Sequence, residues 1–398
     1  MCYYVFMQKD INRKGLRTWI EIDKKALKYN YGVLQGMLPK NVKLMSVVKS
    51  NAYGHGLVDF SLEAQQLGID WFGVDSIVEA IALREAGITK PILVLGYTLP
   101  EMLIRAVKHN ISITVSTFEL LENISKMSFS TKIKVHIKVD TGMHRQGFQE
   151  DEIEKVVVRL KELKSKVEVE GLFTHFAGVK NSKFSELTNK QLQSFKLWVD
   201  KFKKEKFTPI IHAGASSVVF IFPEAYFDMV RVGIAQYGLW PSKDVKRLTK
   251  QKTKSRSELC STTGIKLKPI LQWKTLVGEI KKVPKGNRVG YDFTEEFKKN
   301  STIAVCPIGY WHGYPRSLSS VGNVLVRGKR AKVLGRVSMD MIVVDVSNIS
   351  KVKVRDEVTL IGSGGKGIVS AEEVADLAGA SLYEIVTRIN PLIKRVYF

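Results

Sequence analysis

Residues 43–56 read Lys-Leu-Met-Ser-Val-Val-Lys-Ser-Asn-Ala-Tyr-Gly-His-Gly. The first six residues form a largely apolar run that predicts a buried strand, and Lys49 closes that run. Gly54 and Gly56 favour a turn in which the backbone can approach a ligand closely. A strand that ends on a reactive side chain is typical of an α/β barrel, whose active site lies at the C-terminal ends of its parallel strands.

The same alternation of strands and helices extends over the first 240 residues. Short apolar runs that predict strands occur at 17–22, 43–49, 71–75, 91–96, 111–116, 133–139, 167–175, 209–213 and 229–234. Amphipathic helical patterns lie between them, for example at 23–38, 77–86, 100–109, 151–163 and 190–204. Strands separated by helices indicate a parallel sheet with crossover connections. We therefore predict an eight-stranded, TIM-like α/β barrel with one strand left over. An open doubly wound sheet is the alternative, although no GxGxxG motif follows an early strand.

The pattern changes after Trp240. Residues 242–264 are polar and basic and predict an exposed linker or insertion. From 265 to 398, short apolar runs alternate with glycine and proline turns, which predicts a mainly β C-terminal domain. The expected organisation is thus an N-terminal extension (1–15), a barrel domain (16–241), the basic linker (242–264) and the β domain (265–398).

The composition restricts the class of protein. Sixty-two Lys and Arg residues against 39 Asp and Glu give a net charge of +23, which could indicate a polyanionic partner. No stacking motif or groove-reading element accompanies this charge, so we expect no nucleic-acid partner. The three cysteines are widely separated, which argues against a disulfide framework or a metal site and favours the cytoplasm. No apolar window is long enough to predict a membrane span.

Five polar or charged residues fall at or after predicted strand ends: Lys49, Arg145, His175, Ser216 and Arg231. Taken alone, each such residue is most often a solvated rim residue. Five at successive strand ends instead predict one catalytic site. Lys49 emerges from an apolar run, and poor solvation favours the neutral amine that Schiff-base chemistry needs.

The octapeptide Lys49–Gly56 is similar to the pyridoxal phosphate lysine motif of the alanine racemases, which are fold-type III enzymes. Other segments resemble the same family in the same order. These are Arg17–Asp23, Lys138–Arg145, Thr174–Ala177, Arg231–Leu239, Val289–Tyr291, Gly335–Asp340 and Tyr383–Ile385. The resemblance covers residues 16 to 398. It implies that the first strand, 17–22, joins the C-terminal domain.

The resemblance also implies a role for each matching residue. Lys49 and Tyr291 would be the two catalytic acid/base groups, supported by His175 and Arg231. The cofactor pyridoxal 5'-phosphate would be bound by Lys49, Tyr53, His175, Ser216, Arg231, Gly233, Ile234 and Tyr383. Substrate would contact Arg145, Met339, Asp340 and Tyr310. Lys138 falls where many relatives carry a carbamylated lysine. The implied reaction is the interconversion of L-alanine and D-alanine, which supplies D-alanine for peptidoglycan.

Racemisation needs a proton removed on one face of Cα and delivered on the other. In the family, Tyr291 comes from the second subunit, so the resemblance implies a homodimer with shared sites. Two departures bear on the rate and the substrate range: Ala215 replaces a usual asparagine, and His312 stands where an aspartate is usual, beside a bulky Trp311. A serine or broad-specificity racemase, a related decarboxylase and a non-catalytic cofactor-binding relative remain the alternatives.

Overall fold

The computed structural model describes residues 13–255 and 264–398, without the side chains of 252–255. The chain divides into two units. The barrel unit comprises Lys25–Ala52 and Leu57–Lys268. The β unit comprises the described part of Met1–Lys24, the short segment Tyr53–Gly56, and Pro269–Phe398.

The first strand, β1 (Thr18–Ile22), belongs to the β unit, and the next eight strands form the sheet of the barrel unit. They are Lys43–Val47 (β2), Trp71–Val74 (β3), Ile92–Val94 (β4), Ser112–Val115 (β5), Ile133–Lys138 (β6), Val167–Phe173 (β7), Ile210–His212 (β8) and Met229–Val232 (β9). All are parallel, in the order β8-β7-β6-β5-β4-β3-β2-β9.

The two end strands of this sheet are joined by backbone hydrogen bonds just outside their ladders. Asp228 N donates to Ile211 O (3.0 Å), and Arg231 N donates to Gly214 O (2.8 Å). The sheet is therefore a nearly closed barrel, which confirms the predicted α/β barrel and rejects the open doubly wound sheet. Apolar side chains such as Met45, Leu93 and Met229 fill its interior.

Helices precede, connect and follow the barrel strands. They are Lys24–Gly36 (α1), Leu57–Gln66 (α2), Ile77–Glu85 (α3), Leu103–Lys108 (α4), Phe118–Lys126 (α5), Ile153–Glu162 (α6), Ser185–Lys204 (α7), Ser216–Ile221 (α8) and Lys243–Ser255 (α9). The start of a helix is fixed by local sequence where a hydroxyl caps it. Ser76 accepts from Glu79 N at the start of α3, and Thr117 accepts from Leu120 N at the start of α5.

The segment predicted as an exposed basic linker, 242–264, differs from the prediction in its first half. Ser242 caps a helix here by accepting from Val245 N (3.1 Å), and α9 follows. Val245 and Thr249 lie four residues apart on one face of this helix, and both are buried. Two small buried residues are too few to give a recognisable helical pattern in so basic a sequence. Residues 256–263 and most of the predicted extension 1–15 lie outside the described residues.

The β unit contains β1 and eleven further strands. They are Leu271–Leu276 (β10), Glu279–Val283 (β11), Arg288–Val289 (β12), Glu295–Glu296 (β13), Ser301–Cys306 (β14), Asn323–Val326 (β15), Lys329–Leu334 (β16), Ile342–Asp345 (β17), Glu357–Gly364 (β18), Gly367–Val369 (β19) and Arg395–Tyr397 (β20). Two short helices, Ala371–Ala378 (α10) and Leu382–Thr387 (α11), complete it. The predicted mainly β domain is confirmed.

The main sheet of the β unit has the order β11-β14-β17-β16-β15-β18-β10-β1-β20, with β19 paired to β18. Strand β1 pairs antiparallel with β10 and parallel with β20. The predicted single run Val277–Val283 is wrong, because the chain changes partners there: Val277 N donates to Asp356 O and Gly278 N donates to Val305 O. Within the described ranges, no helix is long and apolar enough to cross a membrane.

Candidate active site

Lys49 lies directly after β2, at the C-terminal end of the barrel. Its Nζ lies 2.9 Å from Oδ1 of Asp75, which is the residue that follows β3. The rim position leaves about a third of the Lys49 side chain exposed (36%), so this lysine is less deeply buried than the apolar run before it suggested.

A left-handed turn over Lys49–Tyr53 fixes the position of Lys49. Ser50, Asn51 and Ala52 have φ values of 50 to 56° and ψ values of 45 to 52°. Such values cost roughly 1–3 kcal/mol per residue, and strain of this kind concentrates at functional sites. Side chains hold the turn on both sides: Glu79 accepts from Ser50 N (2.7 Å), and Asn51 accepts from Leu57 N (2.8 Å).

Arg231, on β9, is buried inside the barrel end. Its Nη1 donates to His212 Nδ1 (2.7 Å) and to His212 O (3.0 Å). Its Nη2 donates to Thr174 O (2.7 Å), Ala213 O (2.9 Å) and His175 Nδ1 (3.3 Å). Burial lowers the pKa of Arg231 to about 9, so the group keeps its charge at neutral pH. Among residues 13–255 and 264–398, no acceptor is bound to Arg231 Nε, which leaves this donor for a ligand.

His175 follows β7, and the charges of four basic side chains act on its imidazole. Burial first, and then the charges of Arg231, Arg145, Lys138 and Lys49, lower the pKa of His175 to about 3. The imidazole is therefore neutral at any physiological pH. The four positive groups come from the ends of three strands, β2, β6 and β9, so the fold concentrates positive charge at one end of the barrel.

Lys138 is the last residue of β6, and Arg145 lies in the loop that follows this strand. One carboxylate organises this loop, because Asp140 accepts from four backbone amides, those of residues 142 to 145 (2.8 to 3.1 Å). Lys138 Nζ donates to Gln146 Oε1 (2.8 Å). Burial, followed by the charges of Arg145, Arg231 and Lys49, lowers the pKa of Lys138 to about 8.

Ser216 begins α8, and its hydroxyl gathers backbone amides from the segment after β9. Ser216 Oγ accepts from Gly233 N (3.0 Å) and Ala235 N (3.5 Å). Ile234, between them, is buried and begins a 3-10 turn. The Ser216 hydroxyl and these backbone amides therefore meet at one chain turn. Ala215 occupies the N-cap position of α8, so no side chain caps this end of the helix.

Tyr291, Tyr310, Met339 and Asp340 all lie in the β unit. The side chain of Tyr291 is 69% exposed, and Met339 is 54% exposed. Tyr310 and Trp311 are joined to the 338–339 backbone, because Tyr310 N donates to Ser338 O (3.0 Å) and Trp311 N to Met339 O (3.0 Å). Asp292 pairs with Arg336 (3.1 Å), which brings the 291–293 segment beside residues 336–341. Within the β unit we call these exposed side chains, together with Phe293 and Met341, the exposed patch.

His312 does not lie on this patch. It is buried, and its Nδ1 accepts from Gly309 N (3.2 Å) at the start of the turn that carries Tyr310. Burial lowers the pKa of His312, so the ring is neutral although Asp340 lies 3.9 Å away. The substitution at 312 is therefore accommodated as a structural cap.

Tyr53 and Tyr383 lie together in the β unit, with ring centroids 6.1 Å apart. Burial, reinforced by Tyr53, raises the pKa of Tyr383, so its hydroxyl remains a hydrogen-bond donor. The backbone after Tyr53 is held by β20: Arg395 Nε and Nη2 donate to Gly54 O (3.0 and 2.8 Å), and Tyr397 OH donates to His55 O (2.8 Å). Gly54 must be glycine, since a Cβ there would lie 1.9 Å from Val386 O.

The residues of the barrel unit fit an anionic pyridine cofactor. A phosphate needs hydrogen-bond donors, and the Ser216 hydroxyl can donate at this chain turn while its oxygen accepts from Gly233 N. A ring nitrogen with a lone pair needs a donor, and Arg231 Nε is such a donor. An aldehyde needs a primary amine at a strand end, and Lys49 supplies it.

The sequence reading missed several residues that shape this site. Asp75 follows β3 as Lys49 follows β2, so the strand-end rule could have identified it. Asp140 and Gln146 flank Arg145, but a carboxylate that accepts backbone amides leaves no periodic signal. His212, which contacts Arg231, lies in a predicted strand and gave no sequence signal of its own.

Comparisons with known proteins agree with this geometry. Residues 22–241 match the family described as "Alanine racemase, N-terminal domain", and residues 270–397 match "Alanine racemase, C-terminal domain". Alanine racemases of Halothermothrix orenii and Methanococcus maripaludis are 39% and 38% identical to the chain. The alignments cover 98% and 95% of this chain, and 98% of each relative.

Solved structures are similar over the same length. Alanine racemase from Bacillus anthracis with bound L-Ala-P has a TM-score of 0.88 at 34% identity, covering 96% of this chain and 95% of that one. Alanine racemase from Clostridium difficile has a TM-score of 0.85 at 33% identity, covering 96% of each chain.

Proposed function

The chain belongs to the alanine racemase family of isomerases, and from this premise we propose that it interconverts L-alanine and D-alanine with pyridoxal 5'-phosphate. The product would supply D-alanine for peptidoglycan, in the cytoplasm. The observation that carries the proposal is the group of four cations around the neutral His175. A phosphorylated cofactor and an amino-acid carboxylate are both anions, and this barrel end offers positive charge to both.

The cofactor residues are proposed in three groups. Ser216 with the amides of Gly233 and Ile234 would hold the phosphate, together with the hydroxyls of Tyr53 and Tyr383. Arg231 Nε would donate to the ring nitrogen. Lys49 would bind the aldehyde carbon. When bound, pyridoxal phosphate supplies an electron-withdrawing ring that takes up the electron pair of the breaking Cα–H bond.

The chain's own groups would handle the proton. Lys49 Nζ, released by the substrate amine, would remove or deliver it on one face of Cα. Tyr291 of a second copy would act on the other face, with His175 and Arg231 adjusting its basicity. Arg231 stays charged and cannot readily give up a proton. It would therefore donate only a hydrogen bond to the ring nitrogen, which keeps the cofactor a moderate electron sink.

Substrate binding is proposed to use both units. Arg145, positioned by the Asp140 loop, would bind the substrate carboxylate, and Lys138 would be carbamylated to orient it. Tyr310, Met339 and Asp340 would line the site from the second copy. The exposed apolar patch around Tyr291 supports a homodimer, because a patch of large side chains is usually covered by a partner.

The test is conversion of L-alanine to D-alanine by the purified protein with pyridoxal phosphate. A visible absorption band that disappears in Lys49→Ala would show that Lys49 binds the cofactor. Turnover of L-serine or L-lysine at the rate of L-alanine would favour a broad-specificity racemase. Cofactor binding without exchange of the Cα hydrogen of alanine for solvent deuterium would instead identify a non-catalytic carrier.

A further inference from the structure

Behind Arg231, three polar side chains with no part in the proposed chemistry extend into the barrel. His212 lies at the end of β8, His136 in the middle of β6 and Glu170 in the middle of β7. His212 Nε2 is 2.9 Å from His136 Nδ1, and His136 Nε2 is 3.3 Å from Glu170 Oε2. Both histidines are fully buried. Together with the contact of Arg231 to His212 Nδ1, these bonds form one continuous row, which we call the Arg231–Glu170 row.

The chemistry of the two ends fixes the direction of every bond in this row. A guanidinium only donates, so His212 Nδ1 must accept and its proton must lie on Nε2. His212 Nε2 then donates to His136 Nδ1, which places the proton of His136 on Nε2. That proton points at the Glu170 carboxylate, which only accepts when ionised. Any other pair of neutral tautomers would place two protons or two lone pairs against each other.

The charge states agree with this direction. Burial lowers the pKa of His136 and lowers the pKa of His212 well below its ordinary value, so both rings are neutral. Burial alone would raise the pKa of Glu170. The hydrogen bond from His136 is the largest of the causes that outweigh burial, and the pKa of Glu170 is lowered. Glu170 is therefore a carboxylate, with Ser112 Oγ as a second donor and Lys134 Nζ at 3.7 Å.

The backbone departs from regular strand geometry where it accommodates this row. Gly171 faces the His136 ring, and a Cβ at 171 would lie 2.0 Å from His136 Nδ1. The β6–β7 ladder shifts register at this point: Val135 pairs with Val169, but His136 pairs with Gly171. Glu170 is thus the extra residue of a bulge, a feature that re-aims a side chain. Phe173 stacks on the His212 ring at 4.7 Å and 5°, which fixes its plane.

We propose that Glu170 is a positioning residue for the reaction: as the terminal acceptor of the Arg231–Glu170 row, it sets the tautomers of His136 and His212 and so the orientation of Arg231. Without an acceptor at 170, the Nε2 proton of His136 is buried without a partner, and the Nδ1–H form of the ring is no longer penalised by a facing carboxylate. In that form His212 also carries its proton on Nδ1, where it faces the guanidinium of Arg231. The value of this arrangement for catalysis rests on the proposed function, but the tautomers do not.

The first test reads the tautomers directly. Holoenzyme labelled with ¹⁵N-histidine is studied by NMR, and the seven histidines are assigned by single substitutions. The wild type should show His136 and His212 as neutral Nε2–H tautomers throughout the neutral pH range. Glu170→Gln retains an acceptor and should preserve both, whereas Glu170→Leu should change the His212 signal two hydrogen bonds away. Glu168→Leu, an exposed position on the same strand, is the matched control and should change neither.

The second test is kinetic. Glu170→Leu should lower kcat for alanine by roughly tenfold or more with a smaller change in KM, while Glu170→Gln stays within about threefold of wild type. Rescue by glutamine is a result that a loosened fold would not give. Nδ1–H tautomers in the wild type, or His212 signals that ignore Glu170→Leu, would overturn the proposal even if Glu170→Leu proved hard to purify. Equal losses in the Gln and Leu variants would overturn it as well.

The two proposals fail separately. A protein with the expected tautomers that does not racemise alanine would contradict the proposed function alone. A racemase whose His212 tautomer does not depend on Glu170 would contradict the positioning role alone.

Discussion

At the scale of single residues, the candidate site depends on charges brought together by strand ends that are distant in sequence. Lys49, Lys138, Arg145 and Arg231 all lower the pKa of His175, although they span 183 positions from 49 to 231. The sequence showed which residue types lie at the strand ends. It did not show the hydrogen bonds that these residues make to Asp75, Gln146 and His212, because a side-chain pair across a barrel leaves no periodic pattern.

Lys138 gives a prediction at this scale. Its pKa of about 8 leaves a substantial neutral amine at neutral pH, and the neutral amine is the form that attacks CO₂ and releases a proton. Protein equilibrated with ¹³CO₂ should show a carbamate ¹³C signal that grows as pH rises through about 8 at fixed dissolved CO₂. The signal should vanish in Lys138→Gln and persist in the exposed control Lys164→Gln. A signal that survives Lys138→Gln would contradict the assignment.

At the scale of elements, the barrel strands were predictable and the turns were not. Runs such as Ile92–Val94 are entirely buried, so apolar composition located them to within one to three residues. The left-handed turn at Lys49–Tyr53, the bulge at Glu170 and the partner change at Gly278 depend on tertiary contacts. Helix α9 escaped prediction because two small buried residues anchor an otherwise basic segment.

Helix α8 gives a prediction about capping. Ala215 holds an extended conformation suitable for an N-cap but has no side-chain acceptor. Ala215→Asn should therefore raise the free energy of unfolding by about 1 kcal/mol, measured by urea denaturation of the apoprotein. Ala215→Gln, whose longer amide is a poor cap, is the control and should give no such gain. A stability equal to or below wild type in Ala215→Asn would show that the N-cap is satisfied in another way.

Strand β20 gives a second prediction about elements. Arg395 is buried and donates to five backbone carbonyls, those of residues 54, 389, 390, 391 and 393. Arg395→Met leaves these acceptors without their donor and should destabilise the protein by on the order of 3 kcal/mol. Amide hydrogen exchange at residues 54–56 should accelerate.

Arg388→Met is the matched control for Arg395. Arg388 is largely exposed and pairs with Glu384 at the helix surface, so its loss should cost less than about 0.5 kcal/mol. Equal effects of the two substitutions would mean that the buried position of Arg395 does not matter for stability.

At the scale of the whole molecule, the exposed aromatic and methionine side chains of the β unit are the feature that sequence patterns conveyed least. Tyr291, Phe293, Trp311 and Met339 are each more than half exposed, although such side chains usually pack inside. The proposed dimer explains their exposure. Sedimentation should therefore show a dimer, and Trp311→Glu should shift it toward the monomer, whereas the exposed barrel position Ile104→Glu should not.

The most direct measurement of the central claim is D-alanine formation from L-alanine by two inactive variants expressed together. Lys49→Ala and Tyr291→Phe should each lose most activity alone. In a hybrid dimer, one site combines Lys49 from one copy with Tyr291 from the other, so co-expression should restore about a quarter of the wild-type rate. No recovery in verified hybrid dimers would contradict a site shared between two copies, and a wild-type protein that forms no D-alanine would contradict the proposed reaction itself.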